Sequence, residues 1–145
     1  MKILNKKALH NYHILESMEA GIVLTGAEVK SIRSGRIELG ESHIRILNNE
    51  AMLINANIPL YQGSSKDYDP QKSRKLLMHR AQINSLIGKV SKGGMAMVPI
   101  SIYEKSNRFK VEVGLGKSKK EFDKRKVIKE RDNLRRDEQE LRGKE

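Results

Sequence analysis

The chain has 145 residues, a formal net charge of +11, a pI of about 9.9 and no cysteine. That length fits one small domain with an appendage, and the absence of cysteine excludes disulfides and thiolate metal sites. No apolar run approaches a membrane span, and no charged-then-apolar start marks a secretory signal, so a cytoplasmic protein is expected. Residues 117–145 carry twelve basic and eight acidic residues, against seventeen and ten for residues 1–116, so the body holds much of the excess. A basic folded domain favours nucleic acid, and the few apolar residues of the tail argue against a membrane-binding face.

Residues 1–11 read as short, basic and irregular. Tyr12 to Leu24 suits extended structure, with a bulge or bend at Glu19, Ala20 and Gly21. Thr25 and Glu28 have the Thr-x-x-Glu spacing of a capping box, Val29 and Ile32 follow, and Gly35 stops the run. This predicts a helix of about ten residues with Lys30 and Arg33 facing outward. Two strands, 42–48 and 51–56, flank a turn at Asn48 to Glu50, and residues 63–70 (GSSKDYDP) read as a loop. Asp69 and Pro70 look like a helix start, predicting a short helix over Ser73 to His79. Ile83, Leu86, Ile87 and Val90 form an i, i+3, i+4, i+7 stripe on another helix, ended by Gly93 and Gly94 and read as core. Val98, Ile100 and Ile102 alternate with less apolar neighbours, Lys105 to Asn107 turns the chain, and Phe109, Val111, Val113 and Leu115 alternate on the return. That pattern predicts a hairpin with one buried face.

Short strands interleaved with small helices predict a mainly β fold. The commonest such solution in a basic domain is an antiparallel β-barrel of oligonucleotide-binding (OB-like) type with flanking helices. The barrel is expected over residues 1–116 and a basic C-terminal tail over 117–145. From Lys117 to Arg131, eight of fifteen residues are Lys or Arg and three are acidic. Such a segment buries too little apolar surface to offset its ordering entropy and is expected to be disordered when free. Glu121 and Arg125 sit at a favourable i, i+4 spacing, so a polyanion could draw the tail into a helix.

Enzymatic chemistry is not expected. The chain offers no Gly-rich phosphate loop followed by Lys-Ser/Thr, no nucleophile elbow and no acid pair at metal spacing. Gly114 and Gly116 carry no weight as a motif, and Glu28 reads as a helix cap rather than as an acid–base partner of Glu19. His10, His13, His43 and His79 share no ligand spacing, so neither metal nor cofactor is expected. Basic clusters at Lys6–Lys7, at Lys30, Arg33 and Arg36, at Lys72, Arg74, Lys75 and Arg80, and along the tail suggest a phosphate-binding surface. The scarcity of aromatics favours structured RNA over a stacking platform for single strands. Glu19 is the exception, because a carboxylate accepts from base amino or ribose hydroxyl groups rather than contacting phosphate.

EAGIVLTGAEVKSIRSG (Glu19–Gly35), RKLLMHR (Arg74–Arg80), LIGK (Leu86–Lys89) and GKSKKEFDKRKVIKER (Gly116–Arg131) together resemble the small protein B family, the transfer-messenger RNA (SsrA) binding proteins of bacteria. The likeness runs from about Asn5 to Arg131. It implies a cytoplasmic protein of trans-translation, or ribosome rescue, with an OB-like core that binds the tRNA-like domain of transfer-messenger RNA. The tail is implied to become helical in the empty messenger channel of a stalled small subunit, at the decoding centre. Alanyl-tRNA synthetase and elongation factor Tu are the further partners it implies, acting through the RNA complex, and the protein is expected to be a monomer.

By the same resemblance Glu19 matches an RNA-contacting glutamate, and Asn5, Lys6 and Lys7 match a leading segment near the RNA. Leu77 and His79 fall on positions that matter for RNA binding, Leu77 perhaps by packing, and Lys30, Arg33, Arg74, Lys75 and Arg80 complete the expected RNA-binding set. The expected ribosome-facing set is Lys117, Lys119, Lys120, Phe122, Asp123, Lys124, Arg125, Lys129 and Arg131, with Asp123 to Arg125 as the DKR motif. Phe122 stands where His or Tyr is common, keeping a stacking face without a polar handle. Ser118 stands where Gly is usual, which would stiffen the hinge. The competing reading is a ribosomal or initiation-factor-like protein that binds rRNA permanently, with an RNA-processing enzyme third.

Overall fold

The structure, a computed structural model, describes residues 1–61 and 67–119. Among these the chain forms a mainly antiparallel sheet with three helices. In order they are β1 (Lys2–Leu4), α1 (Lys6–Asn11), β2 (Tyr12–Ile22), α2 (Gly26–Arg33), β3 (His43–Leu47), β4 (Glu50–Ile54), β5 (Arg74–Leu77), α3 (Arg80–Ser91), β6 (Ala96–Lys105) and β7 (Arg108–Ser118). The strand order is β1-β6-β3-β4-β5-β2-β7, and β6 also pairs with β7. Apolar side chains from both hairpins, β2, β5 and the helices share one core, including Ile32, Leu53, Leu76, Leu86, Ile102 and Val111.

Local signals place several elements where the sequence puts them. The capping box is complete: Thr25 Oγ1 accepts from the Glu28 N–H at 3.3 Å, and Glu28 Oε1 accepts from the Thr25 N–H at 2.9 Å. Both hairpins turn through two residues in the left-handed region, Asn48 and Asn49 between β3 and β4, Ser106 and Asn107 between β6 and β7. That backbone matches the right-handed twist of the flanking strands. On α3, Ile83 and Leu86 are buried as expected, while Ile87 lies at the surface.

Four expectations are corrected. Residues 1–11 are not irregular: Asn5 caps α1, its Oδ1 accepting from the Ala8 N–H at 3.2 Å, and its Nδ2 donates to the carbonyls of Leu39 and Pro99. The β2 irregularity lies between Ile14 and Glu16, while Gly21 pairs in register. The expected helix over Ser73 to His79 is instead strand β5, with Arg74 and Leu76 buried and Lys75 and Leu77 exposed. It pairs with β4 through Leu76 and Arg74 and with β2 through Leu77, and Asp69 only closes a turn by accepting from the Gln71 N–H. Finally, β6 is buried on both faces from Met97 to Ile102 rather than on one.

That double burial gives Gly114 and Gly116 of β7 a structural role. A Cβ on Gly114 would lie 2.6 Å from Ile100 Cδ1, and one on Gly116 would lie 2.8 Å from the His13 carbonyl oxygen. Only glycine lets β2, β6 and β7 approach this closely.

Arg74 is the largest fully buried side chain. Its Nε donates to Glu28 Oε2 at 2.7 Å, Nη1 to the Ala56 carbonyl at 2.7 Å and Nη2 to the Tyr68 hydroxyl at 3.0 Å. Burial works to raise the Glu28 pKa, but the Thr25 N–H and the Arg74 guanidinium together hold it below its ordinary value. A buried charge is tolerated when its partner and hydrogen bonds are all present, and among the described residues no buried side-chain polar atom lacks a partner.

Candidate nucleic-acid interface

Strand register builds the site. Gly21 on β2 lies opposite Leu77 on β5 and Lys110 on β7, and Lys110 lies opposite Tyr103 on β6. Side chains of one cross-strand row share a face. Leu77, Lys110 and Tyr103 therefore stand together on the outside, with a gap at Gly21 where a Cβ would come within 3.1 Å of Leu77 Cβ. Glu19, two positions along β2, joins the same face.

Glu19 is held from across β7. The Tyr103 hydroxyl donates to its Oε2, and Lys105 Nζ lies 3.5 Å from the same oxygen. The Tyr103 hydrogen bond, followed by Lys105 and Lys110, keeps the carboxyl below its ordinary pKa against a small opposing effect of burial. Partial burial and then the Glu19 carboxylate push the Tyr103 phenol up to about 12. The pair therefore stays carboxylate and phenol at neutral pH.

A groove of about 770 Å³ opens on this face and gathers Glu19, Lys75, Leu77, His79 and Arg80, five of the residues expected to contact RNA. Lys110 and the Asn48–Asn49 turn complete its wall. The His79 N–H donates to Gln82 Oε1 at 3.1 Å, which fixes the start of α3 and with it the position of Arg80. Lys75 is shared with Glu50 at 3.1 Å. Three cations around one restrained acceptor can grip a phosphate backbone while Glu19 accepts from a donor on a base or ribose.

The other expected residues lie elsewhere. Lys6 and Lys7 border a second concavity of about 450 Å³ near Leu39 and Gly40, and Lys7 is paired with Glu41. Lys30 sits over the Tyr61 ring at 5.6 Å, and Arg33 pairs with Glu104 at 2.8 Å; neither lines the groove. Two residues leave the RNA-binding set. Arg74 is 2% exposed and Asn5 is 4% exposed, and the polar side-chain contacts of both go to the fold. Lys117 is exposed opposite His13 at the end of β7, and Lys119 Nζ donates to the Leu9 carbonyl at 3.1 Å. Lys120, Phe122, Asp123, Lys124, Arg125, Lys129 and Arg131 lie outside the described residues.

Sequence reasoning missed Tyr103, Lys105 and Lys110. Lys110 had a signal, since it alternates with Phe109 and Val111 on β7, whereas the partnership of Tyr103 with Glu19 depends on a register no local pattern contains. Among the described residues no cluster of three or more His, Asp or Glu could hold a metal ion, and no helix is long and apolar enough to cross a membrane.

Comparison with known proteins agrees with this geometry. The chain is 49% identical over 132 residues to the SsrA-binding protein of Shouchella clausii, covering 90% of this chain and 85% of the relative. It is 49% identical over 140 residues to that of Carboxydothermus hydrogenoformans, covering 96% and 94%. A solved structure described as "tmRNA-SmpB: a journey to the center of the bacterial ribosome" superposes with a TM-score of 0.68 at 40% identity, over 81% of this chain and 83% of that one. The family model described as SmpB protein matches residues 2–143. The chain belongs to the SmpB protein family.

Proposed function

We propose that this protein binds transfer-messenger RNA and serves trans-translation, with the groove around Glu19 as its contact to the tRNA-like domain. The observation that carries the reading is the convergence of Glu19, Lys75, Leu77, His79 and Arg80, from three elements distant in sequence, on one groove of a chain whose relatives are SsrA-binding proteins. It is a binding protein rather than an enzyme. The sheet is read as an OB-like barrel, supported by the β6–β7 pairing that links the two sides of the strand order. The protein works as a cytoplasmic monomer, and alanyl-tRNA synthetase and elongation factor Tu meet it on the RNA. Residues from Lys117 onward probe the vacant messenger channel and decoding centre of the small subunit. The net positive charge of that segment supports this role, since it favours an rRNA-walled channel that messenger would otherwise fill.

Reconstituted peptide tagging on ribosomes stalled without a codon tests this. Protein ending at Lys119 keeps all of β7; it should retain RNA affinity and lose tagging. Loss of RNA affinity on truncation would overturn the division between body and tail. Permanent co-sedimentation with most ribosomes would favour the structural rRNA-binding alternative.

A further inference from the structure

We propose that the depression beside the Glu19 groove is a separate subsite that takes one unpaired nucleotide of the bound RNA. The inference rests on the RNA reading above and deepens it. The depression measures about 320 Å³, near the lower end of small-molecule sites, and lies between the end of β2 and the β6–β7 turn. Val23 and Leu77 border it at 51% and 54% exposure, unusual for apolar side chains, and Phe109 and Val29 lie beneath. Arg108 and Lys110 supply its charge, its lining contains no acidic residue, and among the described residues neither cation is held in an ion pair.

An apolar floor with cations at the rim matches a molecule with a flat apolar face and an attached anion. A nucleotide has both. A base within a duplex has its faces covered by stacking, so the occupant is a nucleotide from a loop, bulge or end. The Asn107 side chain at the turn has a donor and an acceptor with which to meet the base edge. Continuity fixes the source: the depression and the Glu19 groove share Gly21, Leu77 and Lys110. Leu77 is thus a ridge over which one strand passes, its backbone in the Glu19 groove and its next base turned down against Val23. Lys110, common to both, neutralises the phosphate at the crossing.

The test compares the full chain with Val23→Asp, Arg108→Gln and Glu19→Gln, using the tRNA-like fragment of transfer-messenger RNA and chemical probing of base accessibility. Val23→Asp should weaken binding about tenfold, the scale of losing one buried apolar contact. One unpaired nucleotide protected by the parent protein should become reactive with Val23→Asp, yet stay protected at saturating Glu19→Gln. If Val23→Asp disturbs folding, Arg108→Gln, on the exposed turn, should expose the same nucleotide without a change in thermal unfolding. Unchanged affinity and protection in both variants, with Glu19→Gln still impaired, would overturn the subsite alone. If Glu19→Gln also bound as well as the parent, the RNA reading of this face would fall and the subsite with it.

Discussion

The Tyr103 hydroxyl donates to Glu19 Oε2 from two strands away, spanning β7. Lys105 approaches the same oxygen, which leaves Oε1 as the free acceptor facing outward. Tyr103 is thus a positioning residue. Tyr103→Phe should weaken binding of the tRNA-like fragment about fivefold, in line with loss of one hydrogen bond to a charged group at a hydrated site. The change should add nothing to Glu19→Gln in a double-mutant cycle. Additive effects would separate the two residues.

Arg74 and Arg80 stand six positions apart, yet opposite outcomes are expected from them. Arg80→Gln should leave unfolding unchanged and lower the slope of log affinity against log salt by about 1, as for one lost phosphate contact. Arg74→Gln should destabilise the fold by about 3 kcal/mol, because it strands the buried Glu28 carboxylate. Urea denaturation and salt-dependent binding distinguish the two.

The Glu28 carboxylate also predicts acid sensitivity. Its folded pKa is lowered, so the stability it contributes is present above its unfolded value and is lost as pH falls through the folded value. Glu28→Gln should therefore be less stable at neutral pH, and the gap to the parent should narrow below about pH 4.5, where the parent carboxylate loses its advantage. A gap that widens on acidification would contradict this assignment.

At β7, Gly116→Ala should be the more damaging of two alanine substitutions. Its methyl meets the backbone carbonyl of His13, whereas that of Gly114→Ala meets the end of the Ile100 side chain, which can rotate. Overpacking of this kind costs about 1–3 kcal/mol, and Gly114→Ala should fall at or below the lower end. Denaturant midpoints measure the difference.

What was legible in the sequence was local. Thr25 and Glu28 are three residues apart, so α2 and its cap could be read directly, and the alternation around Ser106 and Asn107 announced β6 and β7. Arg74 to Leu77 was misread because Leu76, Leu77 and Met78 suit either period, and the deciding fact is the ion pair to Glu28 across 46 residues of chain. Asn5 looked like part of a basic segment because its partners, the carbonyls of Leu39 and Pro99, lie in other elements. For the site, family likeness supplied Glu19, Leu77 and His79. Lys110 and Tyr103 entered only once β7 was seen paired with both β2 and β6.

The central claim is that the Glu19 face holds the RNA. The most direct measurement is the equilibrium affinity of Glu19→Ala for the tRNA-like fragment, read beside its thermal unfolding and beside Lys7→Ala on the separate concavity. Glu19→Ala should bind at least about tenfold more weakly, as expected when an acceptor that meets buried donors is removed, with unfolding unchanged and the larger loss of the two variants. Undiminished affinity in Glu19→Ala, with Lys7→Ala impaired, would place the RNA on the other side of the molecule.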